Sequence, residues 1–493
     1  IHGAGYNQVG CIEYNSGEKT VNIQIQDILC EGENYTGGFI GYAEGNPMDK
    51  VNANNIKIES SKNYIGGVFG YIHTVKDYKI QINGIVGQSM IVHGNDYVGG
   101  IAGDVGGGAV TILQYSKVSD SEINGHSYVG GVAGRVYENN HNESNNVKVR
   151  GTGEKIGGLI GESGNAKDLS VRNSTIEGIT ANSKYVGGVV GYFNIAYNYR
   201  YISYNNTIIS QGIYTGGITG MMSDTSVTHN LVTYLDTAYV EKCDIKGISY
   251  VGGLTGGINN GTIKQTYVDA KIQGTNQRIG GLVGYMQNEG MTSVTRVISL
   301  FNNYVANSQI IGQGKVGGMI GDIQEDLYVA QKYYYQNYVE AELESEDPNT
   351  VSLGIGGRPD QNLALVDCYY YQYSKINGEN PNEQNEIFIM EDQYLKEADL
   401  KLQNTYVEKL KWPISVFDFT VLLENKYPTI NKTLIGEQEG IDLPKDSEHI
   451  ITGENTEISN LDEQENTTQE LKNETLQETF EYEGKKIETY ETY

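Results

Sequence analysis

No apolar run in this chain approaches the roughly 18 residues that a membrane-spanning helix needs, and no signal peptide opens it. Only 38% of the residues are apolar, too few for one large globular core across 493 residues. Proline (7) and tryptophan (1) are scarce. Positive charge is short as well: 35 Lys and Arg stand against 62 Asp and Glu, a formal net charge of −27. That balance argues against nucleic acid or an anionic membrane surface as a partner. The four cysteines (Cys11, Cys30, Cys243, Cys368) show neither C-x-x-C nor zinc-ligand spacing. A Cys11–Cys30 disulfide and free buried thiols both fit, the thiols better, and the redox compartment stays open. The chain begins at Ile1 in mid-pattern and not at Met, as expected of a piece of a longer protein.

What the chain has instead is glycine (63) and tyrosine (39), arranged in a repeat. A β-branched residue, two glycines, an apolar residue, any residue and a glycine recur ten times, from TGGFIG at 36–41 through VGGVAG at 129–134 to VGGMIG at 316–321. The paired glycines are Gly37 and Gly38, Gly66 and Gly67, Gly99 and Gly100, Gly130 and Gly131, and Gly157 and Gly158. They continue as Gly187 and Gly188, Gly216 and Gly217, Gly252 and Gly253, Gly280 and Gly281, and Gly317 and Gly318. Nine intervals span the 280 residues from Gly37 to Gly317, about 31 each. The glycines follow no three-residue period, which excludes collagen.

Each position has a physical reading. Thr, Ile or Val before the pair favours extended backbone, and the apolar residue after it supplies an inward side chain. Glycine allows close backbone approach, or a positive φ where the chain bends. In TIKQTYVDAKIQG, alternation points Val268, Ala270 and Ile272 the same way. Helical periodicity is missing. The fold expected is therefore all-β, a right-handed parallel β-solenoid (β-helix) of about ten repeats over residues 1–375. One slot before the β-branched residue is filled by Tyr35, Tyr64, Tyr97, Tyr128, Tyr185, Tyr214 and Tyr250, and by Lys155, Arg278 and Lys315 in the other copies. A residue locked to the repeat phase reads first as a stacking ladder, and second as a sugar- or protein-binding strip.

After Gly321 the pattern decays into SLGIGGRP (352–359) and CYYYQYSKING (368–378). Residues 376–436 are expected to cap the solenoid. They offer one or two short amphipathic helices at 391–410, then Trp412, Phe417, Phe419 and Leu422, and Tyr427 with Pro428. The stretch 437–479 reads as an acidic disordered linker. From Glu437 to the end there are 17 acidic and 4 basic residues, a net of −13. FEYEGKKIETYETY (480–493) reads as the start of a following module.

The search for chemistry is negative. There is no H-E-x-x-H, G-x-S-x-G or P-loop. The seven histidines (His2, His73, His93, His126, His141, His229, His449) are scattered with no metal-ligand spacing. GDVGGGAV (103–110) is glycine-rich, but no helix is expected after it. Paired carboxylates on a solenoid face remain conceivable, with Asp224, Asp269 and Asp322 as candidates, although turn chemistry explains each of them better. No recognisable calcium loop is present.

The ten GG-x-x-G copies resemble the GLUG repeat of bacterial surface proteins. Such arrays occur in adhesin-like proteins and in the large immunoglobulin-A-specific zinc metallopeptidases of Gram-positive bacteria. VSLGIGGRPD (351–360), CYYYQYSKING, Trp412 and Lys426-Tyr427-Pro428 resemble the end of the peptidases' repeat region, and 480–493 resembles the module after it. The peptidases' H-E-x-x-H and downstream Glu have no counterpart here, so no catalytic or zinc-ligating residue is carried over. The resemblance implies a non-catalytic middle region of a secreted or cell-wall-associated zinc metalloendopeptidase, with no cofactor in this chain and zinc in the parent. The implied partner is the immunoglobulin A heavy chain, and the implied state is a monomer without membrane insertion. An adhesin domain that binds a host glycan or protein is the alternative.

Overall fold

The computed structural model describes residues 7–431 apart from 17–19, 46–47, 75–79, 108–110, 195–196, 224–232, 260, 288–296, 325–330, 358–364, 367, 382–393 and 425–427, and also residues 478–482 and 485–489. The chain divides into two compact units, Ile1–Ile450 and Ile451–Tyr493. The first is a parallel β-solenoid. In it the β-branched residue and first glycine of each repeat lie in a short strand, two residues long in the first four copies and four in the next six, and these stack as one eleven-stranded parallel sheet from Thr36–Gly37 to Val351–Ser352. Ten spacings of about 4.8 Å make that ladder about 48 Å long. The eleventh rung is the degenerate SLGIGG copy, where Val351 and Ser352 pair with Val316 and Gly317. A further degenerate turn precedes the first copy, with Val9 bridged to Thr36 and Ile12 beside Ile40.

The core is a set of columns, each adding one side chain per coil. In one of them Cys30, Ile58, Val92, Ile123, Val149, Ile176, Ile208, Ile245, Ile272, Ile310, Leu343 and Ile376 follow one another in register, and all are buried. Val268, Ala270 and Ile272 point inward together as their alternation indicates. Buried polar side chains at the bends bond to neighbouring backbone. Asn206 donates to the Val171 carbonyl (2.9 Å) and accepts from the Ser174 amide (2.9 Å), and Asn337 donates to the Leu300 carbonyl (2.9 Å).

The coil bends in a way the glycine pattern does not announce. None of the paired glycines has a positive φ; among the described glycines only Gly45, Gly84 and Gly378 do. The bends are made by single residues in the left-handed region, most of them with side chains. The first corner runs through Asn22, Lys50, Gly84, Tyr115, His141, Asp168, Arg200, Thr237, Gln265, Asn302 and Gln336, with φ of 52–63°. The second runs from Asp27 and Asn55 to Asn205 and Lys242, and the third is the tyrosine slot, Tyr35 to Lys315, with φ of 51–72° in all ten copies. One left-handed residue between extended stretches turns the chain without a loop, at a local conformational cost.

The repeat glycines serve close approach. A Cβ on the second glycine of each pair would collide with a carbonyl oxygen of the next coil, Gly217 with Gly253 and Gly281 with Gly318. Across the interior the same Cβ at Gly281 would sit 3.0 Å from both Val305 methyls. The solenoid is pinched at this point to the thickness of a bare backbone.

At the C-terminal end, Tyr394–Leu395 adds in parallel to Tyr370–Tyr371. Two single helical turns follow, Glu397–Leu400 and Thr405–Lys409, and Phe417–Asp418 pairs antiparallel with Thr429–Ile430. Trp412 stacks on Phe417 (4.4 Å), lies 5.4 Å from the Tyr304 ring, and donates its indole N–H to the Gln336 carbonyl (3.0 Å). With Phe417 and Phe419 it joins a cluster that includes Tyr239, Tyr267, Tyr304 and Tyr338, and Leu422 packs against that cluster. This segment is a clasp laid along the flank of several coils, where the sequence suggested a lid on the last one. Pro428 is buried, and Tyr427 lies outside the described residues. Residues 437–477 also lie outside them. In the second unit, Glu478–Tyr482 and Lys485–Thr489 form an antiparallel hairpin.

Candidate functional site

Two arrays of side chains on the solenoid surface combine unusual composition with defined geometry. The first follows the third corner. The slot residues stack along it: Tyr35 on Tyr64 (5.0 Å), Tyr64 on Tyr97 (4.8 Å), Tyr97 on Tyr128 (4.4 Å) and Tyr214 on Tyr250 (4.5 Å). Where the tyrosines stop, cations continue the stack. Lys155 lies over both Tyr128 and Tyr192 (4.6 Å each), and Arg278 lies over Tyr250 (5.1 Å) and Tyr285 (4.5 Å).

The column after the third repeat glycine runs beside this stack and neutralises it. Lys155 meets Glu162 (2.8 Å), and buried Asp104 takes a two-pronged bond from Arg135 (3.1 and 2.6 Å). Asp322, a sequence candidate for chemistry, is held by Arg278 (2.7 Å) and Lys315 (2.8 Å). Both bonds converge on one of its oxygens, Oδ2. Along the stack the ring faces cover one another, so the strip presents mainly ring edges and hydroxyls. Desolvation pushes the Tyr71 and Tyr97 hydroxyls up to about 12. The first two coils differ in carrying rings only: Tyr35, Tyr42, Tyr64 and Tyr71, with Tyr97 and His73, form one half-buried group, with the Tyr71 hydroxyl 3.2 Å from His73 Nδ1.

The second array lies on the strands between the first and second corners. Val240, Val268, Val305 and Val339 point into the core there, so the residues on either side of each point out. On one side stand Tyr239, Tyr267, Tyr304 and Tyr338; on the other stand Glu241, Asp269, Ala306 and Glu340. The tyrosine column is covered by the clasp. Asp269 thus stands beside Glu241 on the neighbouring coil, while Ala306 separates it from Glu340. Burial, then repulsion from Glu241, pushes the Asp269 carboxyl up to about 6, against an opposing pull from Lys242. Burial raises Glu340 to about 7, although the Tyr304 hydroxyl donates to it (3.3 Å). Perturbed carboxylates in a shared, partly dry setting can hold and release protons near neutrality.

The sequence carries a signal for this row that is easy to pass over. Tyr-Val-Glu at 239–241, Tyr-Val-Asp at 267–269, Tyr-Val-Ala at 304–306 and Tyr-Val-Glu at 338–340 recur in step with the glycines. The remaining candidates are dispersed. Asp224, His2, His229 and His449 lie outside the described residues. His126 Nδ1 is 2.8 Å from Asp96, and His141 stacks on Tyr115 with Nδ1 3.3 Å from Asp168. All four cysteines are free thiols, and burial raises Cys30 and Cys243 to about 11. GDVGGGAV enters a strand, Ala102–Gly107, and strand Thr111–Gln114 follows it. Among the described residues no three His, Cys, Asp or Glu side chains converge as metal ligands, and no helix is long and apolar enough to cross a membrane.

No family model matches the sequence, and no curated protein matches it. Among solved structures, the chain is similar to a crystal structure from Bacteroides ovatus whose proposed identity is an immunoglobulin A1 protease. Identity is 13%, coverage is 72% of this chain and 87% of that one, and the TM-score is 0.36. So distant a likeness bears no functional argument.

Proposed function

We propose that this chain is a rigid, non-catalytic arm of a larger secreted or cell-wall-associated bacterial protein. The observation that carries the reading is the glycine-to-carbonyl interlock, in which each coil leaves no room for even a methyl group against the next. A body packed that way bends little and holds whatever stands at its two ends at a fixed separation. The repeat's resemblance to GLUG arrays refines the proposal. The arm belongs to a zinc metalloendopeptidase acting on immunoglobulin A, where it helps hold the antibody while a zinc domain elsewhere in the parent cleaves it. Remote contacts of that kind raise the effective concentration of the scissile bond, and a stiff surface loses little entropy on docking.

The all-aromatic group on the first two coils favours a second reading, an adhesin that binds a host glycan or protein directly. One paired assay separates the two. The purified chain is mixed with immunoglobulin A and zinc to look for cleavage, then titrated with the antibody, with and without residues 437–493. The expected result is no cleavage and salt-tolerant binding, micromolar or weaker, that survives removal of the acidic segment. Zinc-dependent cleavage by the chain alone overturns the non-catalytic reading. Absence of antibody binding, together with binding to a host glycan, moves the conclusion to the adhesin.

A further inference from the structure

We propose that the tyrosine group on the first two coils is a binding site for a quaternary ammonium ion, held over Tyr35, Tyr64 and Tyr71. The solenoid itself shows what such rings hold. Two columns run side by side at the third corner: the slot, and an outward column that contains Tyr42, Tyr71, Tyr192 and Tyr285 in register. Farther along, a cation of the chain lies over a slot ring and a column ring together. Lys155 does so over Tyr128 and Tyr192, and Arg278 over Tyr250 and Tyr285. Tyr71 follows Tyr64 by seven residues, as Tyr285 follows Arg278, so a ring stands at Tyr64 where the later coil has its cation. Among the described residues no cation lies over Tyr35, Tyr64 or Tyr71. Arg135, whose charge reaches Tyr64 and Tyr71, lies over Tyr97 instead.

The rings are placed to share one ion. Tyr35 and Tyr64 stack at 5.0 Å and 12°, and Tyr71 stands against both, 5.7 and 5.3 Å away at 56° and 67°. Tyr42 adds a further ring 5.6 Å from Tyr35 and 5.4 Å from Tyr71. With centroids this close, a single cation resting on Tyr35, Tyr64 and Tyr71 lies within the roughly 6 Å reach of cation–π attraction for all three. The slot rings face one another along the rod, so a ring tilted as steeply as Tyr71 turns its faces toward the sides. All of these side chains are half-buried, and the group therefore meets solvent.

The class of cation follows from the acceptors. Lys155 and Arg278 each also bond to a carboxylate, Glu162 (2.8 Å) and Asp322 (2.7 Å). Asp104 stands next to Tyr71 in the column as Asp322 stands next to Tyr285, but it is buried and takes both its bonds from Arg135. An ion with N–H groups would give up hydration here for fewer hydrogen bonds than Lys155 and Arg278 make. A trimethylammonium group has no N–H to satisfy and needs only ring faces. The net charge of −27 favours a cation's approach.

Proton NMR of choline titrated with the full chain tests this. Ring currents should move the choline methyl signal upfield, with a Kd in the millimolar range. The uncharged isostere, with a tert-butyl group in place of trimethylammonium, should bind about tenfold more weakly. Tyr71→Leu should remove most of the affinity, and Tyr71→Phe should keep it. Tyr64→Arg rebuilds the Arg278 arrangement at a position whose backbone matches (φ 65° against 72°). It should fill the site from within and abolish choline binding, which keeps the test valid if Tyr71→Leu misfolds. Co-sedimentation with phosphatidylcholine vesicles, reversed by free choline, would assign the group to a lipid headgroup, and choline binding without it to a soluble ligand; either supports the proposal. An unshifted methyl signal, equal affinity for the uncharged isostere, or binding that survives Tyr64→Arg overturns it. The site stands apart from the antibody reading, which the cleavage and titration assay decides whatever choline does.

Discussion

At the scale of single residues, two kinds of position carry the fold, and they respond to substitution in opposite ways. Gly281→Val should cost about 2–4 kcal/mol, because the added atoms meet the Gly318 carbonyl and the Val305 methyls. Backbone locked in a ladder cannot step aside. Urea unfolding should show the midpoint fall; a change within a few tenths of a kcal/mol would mean that the coils are spaced more loosely than described. Gln265 is held at φ 57° in the first corner, a conformation glycine adopts without steric cost, so Gln265→Gly should stabilise by about 0.5–1 kcal/mol. A lower midpoint in that variant would show that the side chain contributes more than its backbone strain removes.

At the scale of elements, the clasp is the part most open to experiment. Ending the chain at residue 393 would uncover Tyr304, Tyr338 and the strand at Tyr369–Tyr371 together, leaving an apolar patch beside an open strand edge. Light scattering should then report self-association at concentrations where the full chain is dispersed, and an unchanged monomer with unchanged thermal stability would argue against it. The stack of coils was legible in the sequence, because a glycine pair recurring every 31 or so residues leaves few alternatives. The placement of Trp412 was not. Composition marks the segment as apolar, but what sets its docking site is the long-range Tyr239–Tyr338 column, visible only once four coils are in register. The corners were hidden for a related reason. Left-handed positions occupied by Tyr, Lys, Arg and Thr carry no composition signal, since the ladder and not the residue imposes the conformation.

At the scale of the whole molecule, the spacing between corners is unequal in its freedom. From first to second corner the count is five wherever both corners hold a left-handed residue: Asn22 to Asp27, Lys50 to Asn55, Gly84 to Ser89, Tyr115 to Asp120, His141 to Asn146, Asp168 to Asn173, Arg200 to Asn205, Thr237 to Lys242 and Asn302 to Asn307; the coils of Gln265 and Gln336 have no left-handed second corner. From the third repeat glycine to the next first corner it ranges from seven residues (Gly134 to His141) to 18 (Gly284 to Asn302). A single residue inserted between Thr237 and Lys242 should therefore cost several kcal/mol, on the order of 3, by turning the Tyr239 and Glu241 face inward. Five residues added after Glu289 should cost about 1 kcal/mol or less, and thermal melts of the two insertions compare them directly. Novelty in such a protein has one address. One side of the coil is nearly fixed in length, the second runs from eight residues (Asp27 to Tyr35) to 12 (Asn173 to Tyr185), and the third varies most and accepts new sequence coil by coil. A lineage can rewrite what that side displays without renegotiating the framework, and an engineer grafting a peptide has the same door to use.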